Sequence, residues 1–187
     1  MRVVAGKYRG FNLQSPKAKD SRPTDNKVKE AIFDMLFPFK HEFTALDLFA
    51  GTGQIGIEFL SRGAKVVYFN ERNSSTNQIL NENIEKVKAG NVVVSKLDFK
   101  KAVVLYNKKG IKFDYIFLDP PYAGEMLQAS IELIVDYELL AEDGIIITES
   151  DRDLDFSDVY SLEIIKEKSY GRKIIKFYRK NESNLSR

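Results

Sequence analysis

Residues 44–71 read TALDLFAGTGQIGIEFLSRGAKVVYFNE, and the arrangement of the whole chain can be worked out from them. An apolar run over 44–49 ends in a turn with three glycines, Gly51, Gly53 and Gly56. A helical pattern over 54–63 and a second apolar run over 64–70 follow. Strand, glycine turn, helix and strand in this order are typical of a parallel βαβ unit, so the stretch predicts an α/β fold.

The same alternation continues to residue 149. The patterns are, in turn, helix 74–90, strand 91–97, helix 99–110, strand 113–119, helix 125–137 and strand 144–149. Five strands joined by four helices predict a parallel sheet with right-handed crossovers and helices on both faces. The chain ends differently, because strand patterns at 159–168 and 173–180 are joined by a SYGR turn, which predicts an antiparallel hairpin at the sheet edge.

The first 40 residues stand outside this alternation. Two short extended runs within 3–13 surround Gly6 and Gly10 and predict a β-hairpin, and residues 15–23 have the composition of a loop. A helix should begin at Thr24 or Asp25 and stop at Pro38. We therefore expect an N-terminal hairpin and helix extension over 1–40 and a main domain over 41–187.

Composition limits the classes of function. The chain has 187 residues, of which 43% are apolar, and this suffices for one buried core. It has no cysteine, which excludes disulfides, thiolate metal sites and cysteine nucleophiles, and its one histidine, His41, has no second to share a metal. No apolar stretch approaches the length of a membrane helix. We expect a soluble, cytoplasmic monomer without a metal site.

Positive charge is concentrated at the two ends of the chain. Residues 1–40 and 163–187 each carry a net charge of +5, whereas the whole chain carries +2, which leaves −8 for residues 41–162. If the ends lie near each other, they form a basic rim suited to a polyanion. Solvated lysines at mobile ends are the alternative interpretation.

Ligands of parallel sheets bind at the carboxyl ends of the strands. Gly51, Gly53 and Gly56 match GxGxxG, a pattern in which glycine permits a tight turn and close approach of a ligand to the backbone. Glu71 lies 18 residues beyond Gly53, where a carboxylate can accept both hydroxyls of a ribose. Asp98, after the third strand, either accepts a hydrogen bond from an adenine amino group or caps the helix that follows.

Asp47 narrows the choice of nucleoside. It stands four residues before Gly51, beside the loop that in dinucleotide-binding proteins contacts a pyrophosphate. An acid there would repel a pyrophosphate and suits a cationic amino-acid end instead.

The fourth strand, FDYIFLD over 113–119, runs into Pro120, Pro121 and Tyr122. Prolines lack a backbone donor and have a fixed φ angle, so they make a stiff exit from a strand. Asp119 and the carbonyl of Pro120 can each accept one N–H of a nucleobase amino group, which leaves the nitrogen lone pair facing an electrophile, and Tyr122 can stack on the base. The S-methyl group of S-adenosylmethionine is the electrophile we expect.

These motifs together resemble a known family. DLFAGTG followed by DPPY is similar to class I S-adenosylmethionine-dependent methyltransferases that modify exocyclic amino groups. With MRVVAGKYRGFNL, RPTDNKVKEAIFDML, the FNE stretch and YGRKIIKFYRK, the chain resembles bacterial 16S ribosomal RNA guanine-N2 methyltransferases over nearly its whole length. The resemblance implies a Rossmann-like, seven-stranded, mostly parallel sheet, S-adenosylmethionine as donor and a guanine of small-subunit ribosomal RNA as acceptor.

The resemblance also implies roles for individual residues. The cofactor positions are Asp47, Phe49, Ala50, Gly51, Thr52, Gly53, Glu71, Arg72, Asp98 and Phe99. The catalytic positions are Asp119, Pro120, Pro121 and Tyr122, and the RPT stretch near the pocket is Arg22, Pro23 and Thr24. Asn70 and Lys29 depart mildly from the family pattern.

The basic N-terminal stretch is expected to contact RNA. Lys7 and Arg9 can neutralise phosphates, whereas Tyr8 and Phe11 can either stack on unpaired bases or pack the hairpin onto the core. The expected partner is 16S ribosomal RNA in the small subunit or an assembly intermediate of it.

Two other functions are compatible with these residues. An amino methyltransferase could act on DNA adenine or on a protein glutamine amide, since related motifs serve those acceptors. A non-catalytic RNA-binding module is the third possibility, against which the intact Asp119 argues. The residues alone do not identify the target nucleotide.

Overall fold

The structure is a computed structural model that describes residues 1–15, 26–121, 123–157 and 160–181. Helices and strands alternate along the described residues. In chain order they are α1 (Asn26–Leu36), β1 (Thr44–Asp47), α2 (Gln54–Ser61), β2 (Val66–Asn70), α3 (Ser74–Val87), β3 (Val92–Ser95), α4 (Phe99–Lys108), β4 (Phe113–Leu118), α5 (Ala123–Asp136), β5 (Leu140–Ser150), β6 (Leu162–Tyr170) and β7 (Lys173–Lys180).

The seven strands found in the described residues form one mixed sheet in the order β3-β2-β1-β4-β5-β7-β6. Strand β2 pairs in parallel with β1 and with β3, and β4 pairs in parallel with β5. Strand β7 is antiparallel to both β5 and β6. The predicted α/β fold, with a mostly parallel seven-stranded sheet and a C-terminal antiparallel hairpin, is confirmed.

The chain divides into two compact units, Met1–Asp98 and Phe99–Arg187. In the first unit, the parallel register pairs Asp47 with Phe69 and Asn70 with Ser95. The carboxyl ends of β1, β2 and β3 therefore lie at one edge of the sheet. Apolar side chains of α1, α2 and β1 are buried behind this edge, with the rings of Phe33 and Phe59 in edge-to-face contact at 4.8 Å.

The second unit contains the hairpin and the catalytic strand of the sequence prediction. Leu118 at the end of β4 pairs with Thr148 of β5, and Thr148 pairs in turn with Lys176 of β7. Strand β5 begins at Leu140, four residues before the predicted start, and its register against β4 shifts between Phe113 and Tyr115. The polar AEDG sequence thus forms the irregular first part of a strand and not a loop.

The N-terminal arm, which we define as residues 1–15, differs from the regular hairpin that the sequence suggested. Its two halves pair at one antiparallel bridge, between Arg2 and Asn12. Val3 also exchanges backbone hydrogen bonds with Phe11 and Gly10, at 3.0 and 2.9 Å. Regular strands do not form between these points because other N–H groups of the arm bind α2.

Glu58 and Ser61 of α2 receive these groups. The fully buried Glu58 accepts the N–H of Val4 and that of Ala5, both at 3.0 Å. Ser61 accepts the N–H of Tyr8 with its hydroxyl, at 2.9 Å, and that of Lys7 with its carbonyl, at 2.7 Å. These side-chain and backbone acceptors replace a β-ladder.

Gly6 is required at the tightest point of this contact. Its φ angle is +80°, and a Cβ atom there would lie 1.8 Å from the carbonyl oxygen of Ser61. Any other residue would push the arm away from α2.

Lys29 of α1 completes the attachment of the arm. Its side chain is fully buried, donates to the carbonyl of Arg2 at 2.6 Å and lies 3.6 Å from Glu58. Arg62 binds the other oxygen of Glu58 at 3.2 Å. Lys29 thus has a structural role. Burial lowers the pKa of its ammonium group.

No helix in the described part of the chain is long and apolar enough to cross a membrane. The boundary at residue 40 between extension and main domain stays a prediction.

Candidate functional site

The glycine loop between β1 and α2 adopts the conformation that its sequence requires. Gly51 and Gly53 have φ angles of +53° and +86°, in the left-handed region that favours glycine. A Cβ atom at Gly53 would lie 2.4 Å from Leu80 of α3, whereas one at Gly51 would meet nothing within 4 Å. Gly53 is therefore required by packing as well as by conformation, and Gly51 leaves open space beside the loop.

Asp47 supports this loop from the end of β1. Its side chain is 2% exposed, and one carboxylate oxygen accepts the backbone N–H of Gly56 at 3.0 Å. Burial raises the pKa of Asp47 to about 7; the Gly56 hydrogen bond opposes the shift and the charge of Glu71 adds to it. A cation that reached this carboxylate would therefore stabilise its charged form.

Glu71, directly after β2, binds the same loop. Oε2 accepts the N–H of Gly51 at 2.9 Å and Oε1 accepts that of Asn73 at 2.6 Å. Burial raises the pKa of Glu71, and these two hydrogen bonds partly offset the shift. Because a carboxylate has about four acceptor positions, Glu71 keeps the capacity to accept two hydroxyl groups.

The other predicted cofactor residues of the first unit lie around the same strand ends. Arg72 and Asp98 form an ion pair at 3.2 Å on the surface. Ala50 and Thr52 are buried in the loop, and Phe49 is half-buried. Phe99 begins α4 in the second unit and is buried. The adenine contact of Asp98 and its alternative role as a helix cap stay predictions.

Asn70 is the first functional residue whose role sequence reasoning missed. Its buried side chain donates to the carbonyls of Leu48 and Leu97, at 3.2 and 3.1 Å. Its oxygen accepts the N–H of Leu97 at 3.2 Å and the hydroxyl of Ser95 at 2.9 Å. A single amide thus fastens the ends of all three strands of this unit, which an aliphatic residue cannot do. Its departure from the family pattern was the available signal.

Gln54 and Asn83 were also missed. Gln54 begins α2, and its buried Oε1 has no hydrogen-bond partner among the described residues. Asn83 is fully buried on α3 and donates to the carbonyl of Thr52 at 2.9 Å. The signal for Asn83 is its place on the apolar face of α3, between Leu80 and Val87.

The predicted catalytic motif lies at the end of β4 in the second unit. Asp119 follows this strand directly and is half-buried, Pro120 is buried and Pro121 is exposed. Helix α5 begins two residues later, at Ala123. Tyr122 lies outside the described residues, so its stacking role stays a prediction.

Of the predicted RNA-contact residues, the structure describes two. Lys7 and Arg9 are both exposed on the arm, whereas Arg22, Pro23 and Thr24 lie outside the described residues. Tyr8 is 7% exposed and therefore packs on the core, but Phe11 is 40% exposed and meets Tyr8 edge to face. With Arg2, which is also exposed, the arm thus presents three cations and one aromatic ring to solvent.

The residues of the first unit fit S-adenosylmethionine. Asp47 is a buried carboxylate that an ammonium group would stabilise, and Glu71 keeps free acceptor positions for a ribose diol. Gln54 has an acceptor oxygen without a partner among the described residues, and the space beside Gly51 is open. In the part of the chain that the structure describes, no cluster of His, Cys, Asp or Glu could hold a metal.

A glycine loop held by two carboxylates at the ends of the first two strands, in a sheet of this strand order, defines the fold of a class I methyltransferase. Comparison with known proteins then identifies the family. The family described as Conserved hypothetical protein 95 matches residues 1–179, and the chain belongs to it.

Two named relatives are similar over most of their length. Ribosomal RNA small subunit methyltransferase D of Haemophilus influenzae is 32% identical over 176 residues, which are 91% of this chain and 89% of the relative. The protein of the same name from Escherichia coli is 34% identical over 151 residues, or 81% and 75% of the two chains.

Solved structures agree with this assignment. The Escherichia coli protein yhhF, described as a methyltransferase, superposes with a TM-score of 0.85 at 30% identity, covering 96% of this chain and 97% of that one. A hypothetical protein from Thermus thermophilus, TTHA0928, gives 0.79 at 25% identity over 95% and 98%. A ribosomal protein L11 methylase from Lactobacillus delbrueckii, at 19% identity and 0.65 over 86% and 80%, shares the fold alone.

Proposed function

We propose that this protein transfers a methyl group from S-adenosylmethionine to the exocyclic N2 amino group of a guanine in small-subunit ribosomal RNA. The relatives named ribosomal RNA small subunit methyltransferase support the RNA substrate and the reaction class. The observation that carries the choice of an amino group is the passage of buried β4 directly into Asp119 and Pro120.

Methylation of an amino group explains why an acid and a proline would stand together at this strand end. A guanine N2 nitrogen is a poor nucleophile because its lone pair is delocalised into the ring. Asp119 and the carbonyl of Pro120 would each accept one N–H, which holds the nitrogen with its lone pair directed at the methyl carbon. The rigid proline carbonyl holds one of these acceptors in place.

S-Adenosylmethionine supplies an electrophilic methyl group on a positively charged sulfur. The amino nitrogen would become positively charged as it takes the methyl group from sulfur, and it would then have to lose a proton. Asp119 would stabilise that charge and accept the proton.

Residues of the first unit would hold the cofactor. Asp47 would attract the ammonium group of its amino-acid end, and Gln54 would offer a neutral acceptor. Glu71 would accept the ribose hydroxyls while it continues to hold the N–H of Gly51. Gly51 would let the cofactor approach the backbone, since no neighbouring atom occupies the space of its absent Cβ.

RNA would be recognised in part through the N-terminal arm. Lys7 and Arg9 are exposed and would pair with phosphates, and Phe11 offers an exposed ring for an unpaired base. The attachment of the arm to Glu58 and Ser61 means that these groups are held in a defined place before RNA binds.

The test is methyl transfer in a defined mixture. Purified protein and labelled S-adenosylmethionine are incubated separately with unmodified small ribosomal subunits, naked 16S RNA, duplex DNA and a protein extract. We expect label in RNA alone, and N2-methylguanosine after nucleoside analysis. Transfer to DNA adenine or to a protein amide would instead support an amino methyltransferase with another acceptor. Absence of transfer to any substrate would support a non-catalytic RNA-binding module.

A further inference from the structure

Asn83 is a buried residue of α3 whose side chain contacts both the N-terminal arm and the glycine loop. Its Oδ1 accepts the N–H of Gln14 at 2.7 Å, and its Nδ2 donates to the carbonyl of Gln14 at 3.1 Å and to that of Thr52 at 2.9 Å. The side chain is fully buried. Every polar atom of the amide is therefore used, as burial requires.

The contact with Gln14 fixes direction as well as position. Asn83 binds both the N–H and the carbonyl of one residue, as a neighbouring strand would, so these two bonds define the orientation of the backbone at Gln14. A second residue of α3, Lys86, donates to the carbonyl of Asn12 at 2.6 Å. Residues 12–14 are thus held by α3, in the same way that residues 4–8 are held by α2.

The contact with Thr52 lies in the middle of the cofactor loop. Thr52 stands between Gly51 and Gly53, the two residues of this loop that have positive φ angles. Leu80, one turn before Asn83 on the same helix, occupies the space where a Cβ atom of Gly53 would lie. One turn of α3 therefore supports the loop by packing at Leu80 and by a hydrogen bond at Asn83.

Gln14 is the end of the attached part of the arm. Beyond Ser15 the sequence continues into residues 16–25, which carry Arg22, Pro23 and Thr24. Asn83 therefore holds one of the last residues that the structure describes before this segment.

We propose that Asn83 is a positioning residue that fixes the RNA-binding arm relative to the cofactor loop. This inference rests on the proposed function, because it assigns the arm to RNA and the loop to S-adenosylmethionine. Asn83 contacts neither ligand itself; it acts through the backbone of Gln14 on one side and of Thr52 on the other.

The test separates the two sides of Asn83. Asn83→Asp keeps the shape and the acceptor for Gln14 but places an oxygen against the carbonyls of Gln14 and Thr52. We expect the KM for small-subunit RNA to rise about 3- to 10-fold and S-adenosylhomocysteine to bind about 3- to 10-fold more weakly, as for the loss of one or two buried hydrogen bonds. Gln14→Pro removes the N–H that Asn83 accepts and stiffens the backbone on the arm side alone, so it should raise the KM for RNA and leave S-adenosylhomocysteine affinity unchanged.

Two reference variants accompany these. Gln14→Ala retains both backbone groups that Asn83 contacts and is the comparison for Gln14→Pro. Asn81→Ala removes another asparagine of α3, whose amide donates to Asn77 of the same helix, and it should leave both ligands unaffected. Melting temperatures are measured for every variant, because a purely structural role would lower them without separating the two ligands.

The outcomes are distinguishable. If Asn83→Asp has the wild-type KM for RNA and the wild-type affinity for S-adenosylhomocysteine, the role of Asn83 is disproved. If that variant does not fold, equal RNA kinetics of Gln14→Pro and Gln14→Ala would disprove it. If the wild-type protein itself transfers no methyl group to RNA, the proposed function fails, and the role of Asn83 in positioning an RNA-binding arm fails with it.

Discussion

Asp119 is the residue on which the proposed chemistry depends, because it follows β4 without an intervening residue and is only half-buried. A carboxylate so placed can accept a hydrogen bond and then a proton. Asp47 and Glu71 differ from it, since both support the glycine loop through backbone N–H groups. The three acids therefore predict three different experimental signatures.

Asp119→Ala should lower kcat by roughly 10² to 10⁴, the range for positioned proton-transfer groups, while S-adenosylmethionine affinity changes little. Asp119→Asn should retain more activity, since it keeps an acceptor oxygen. Single-turnover transfer to unmodified small subunits measures both. Glu125→Ala is the control, as Glu125 is an exposed acid in the first turn of α5. Wild-type turnover by Asp119→Ala would refute the mechanism.

Asp47 should make the stability of the cofactor-free protein depend on pH. Its pKa rises from 3.8 to about 7 on folding, so between these values the folded state holds a proton that the unfolded chain has lost. The contribution of Asp47 to the free energy of unfolding should therefore fall as the pH rises from about 4 to 7. Urea unfolding of wild type and Asp47→Asn across this range tests it. Since Asn cannot ionise, the variant should gain stability relative to wild type as pH rises, and a constant difference would contradict the assignment.

Glu71→Ala should weaken the binding of S-adenosylhomocysteine by about 1 to 3 kcal/mol, the scale for a charged hydrogen bond. The loss combines the ribose contact with the support of Gly51. Calorimetry measures it, with NAD as the competing ligand and Glu85→Ala, an exposed acid of α3, as the control. If wild type binds NAD equally well, or if Glu71→Ala binds S-adenosylhomocysteine with wild-type affinity, the cofactor assignment is wrong.

At the level of elements, the N-terminal arm is held to the protein more firmly than a surface loop would be. It has one β-bridge, but Glu58, Ser61, Lys29 and Asn83 attach it to three helices. Attachment of this kind leaves the exposed Lys7 and Arg9 in a fixed position. The arm is therefore expected to contribute to RNA affinity and not to chemistry.

Reversal of charge on the arm tests whether the arm contributes to RNA affinity and not to chemistry. The double variant Lys7→Glu, Arg9→Glu should raise the KM for RNA and reduce the slope of log affinity against log salt by about 1.4 to 1.8, while kcat stays close to wild type. Lys108→Glu with Lys109→Glu, at the exposed end of α4, is the matched control. A collapse of kcat at unchanged KM would place these residues in the catalytic site instead.

At the level of the whole molecule, the order of strands and helices could be predicted because apolar periodicity and glycine turns act locally along the chain. The seven strands and the C-terminal hairpin followed from those patterns. The attachment of the arm could not be predicted in this way, since it depends on contacts between residues as distant as Val4 and Glu58. A regular hairpin was the local expectation, and the buried acid of another helix overrode it.

In the candidate site too, some residues could be predicted from local sequence patterns and others could not. Asp47, the glycines and Glu71 could be identified because their spacing on strand ends is visible in the sequence, and the structure joins them through hydrogen bonds. Asn70 and Asn83 were not identified, because an asparagine in a strand or helix acquires its role only from backbone groups that the fold brings near it. The role of a buried amide of this kind becomes visible only in the folded structure.

The most direct test of the central claim is mass spectrometry of small-subunit ribosomal RNA from cells that lack this protein. We expect that one N2-methylguanosine is lost, that every other modification is retained, and that re-expression of wild type, but not of Asp119→Ala, restores it. An unchanged N2-methylguanosine content, or the loss of a methyl group from adenine or from a ring nitrogen instead, would contradict it.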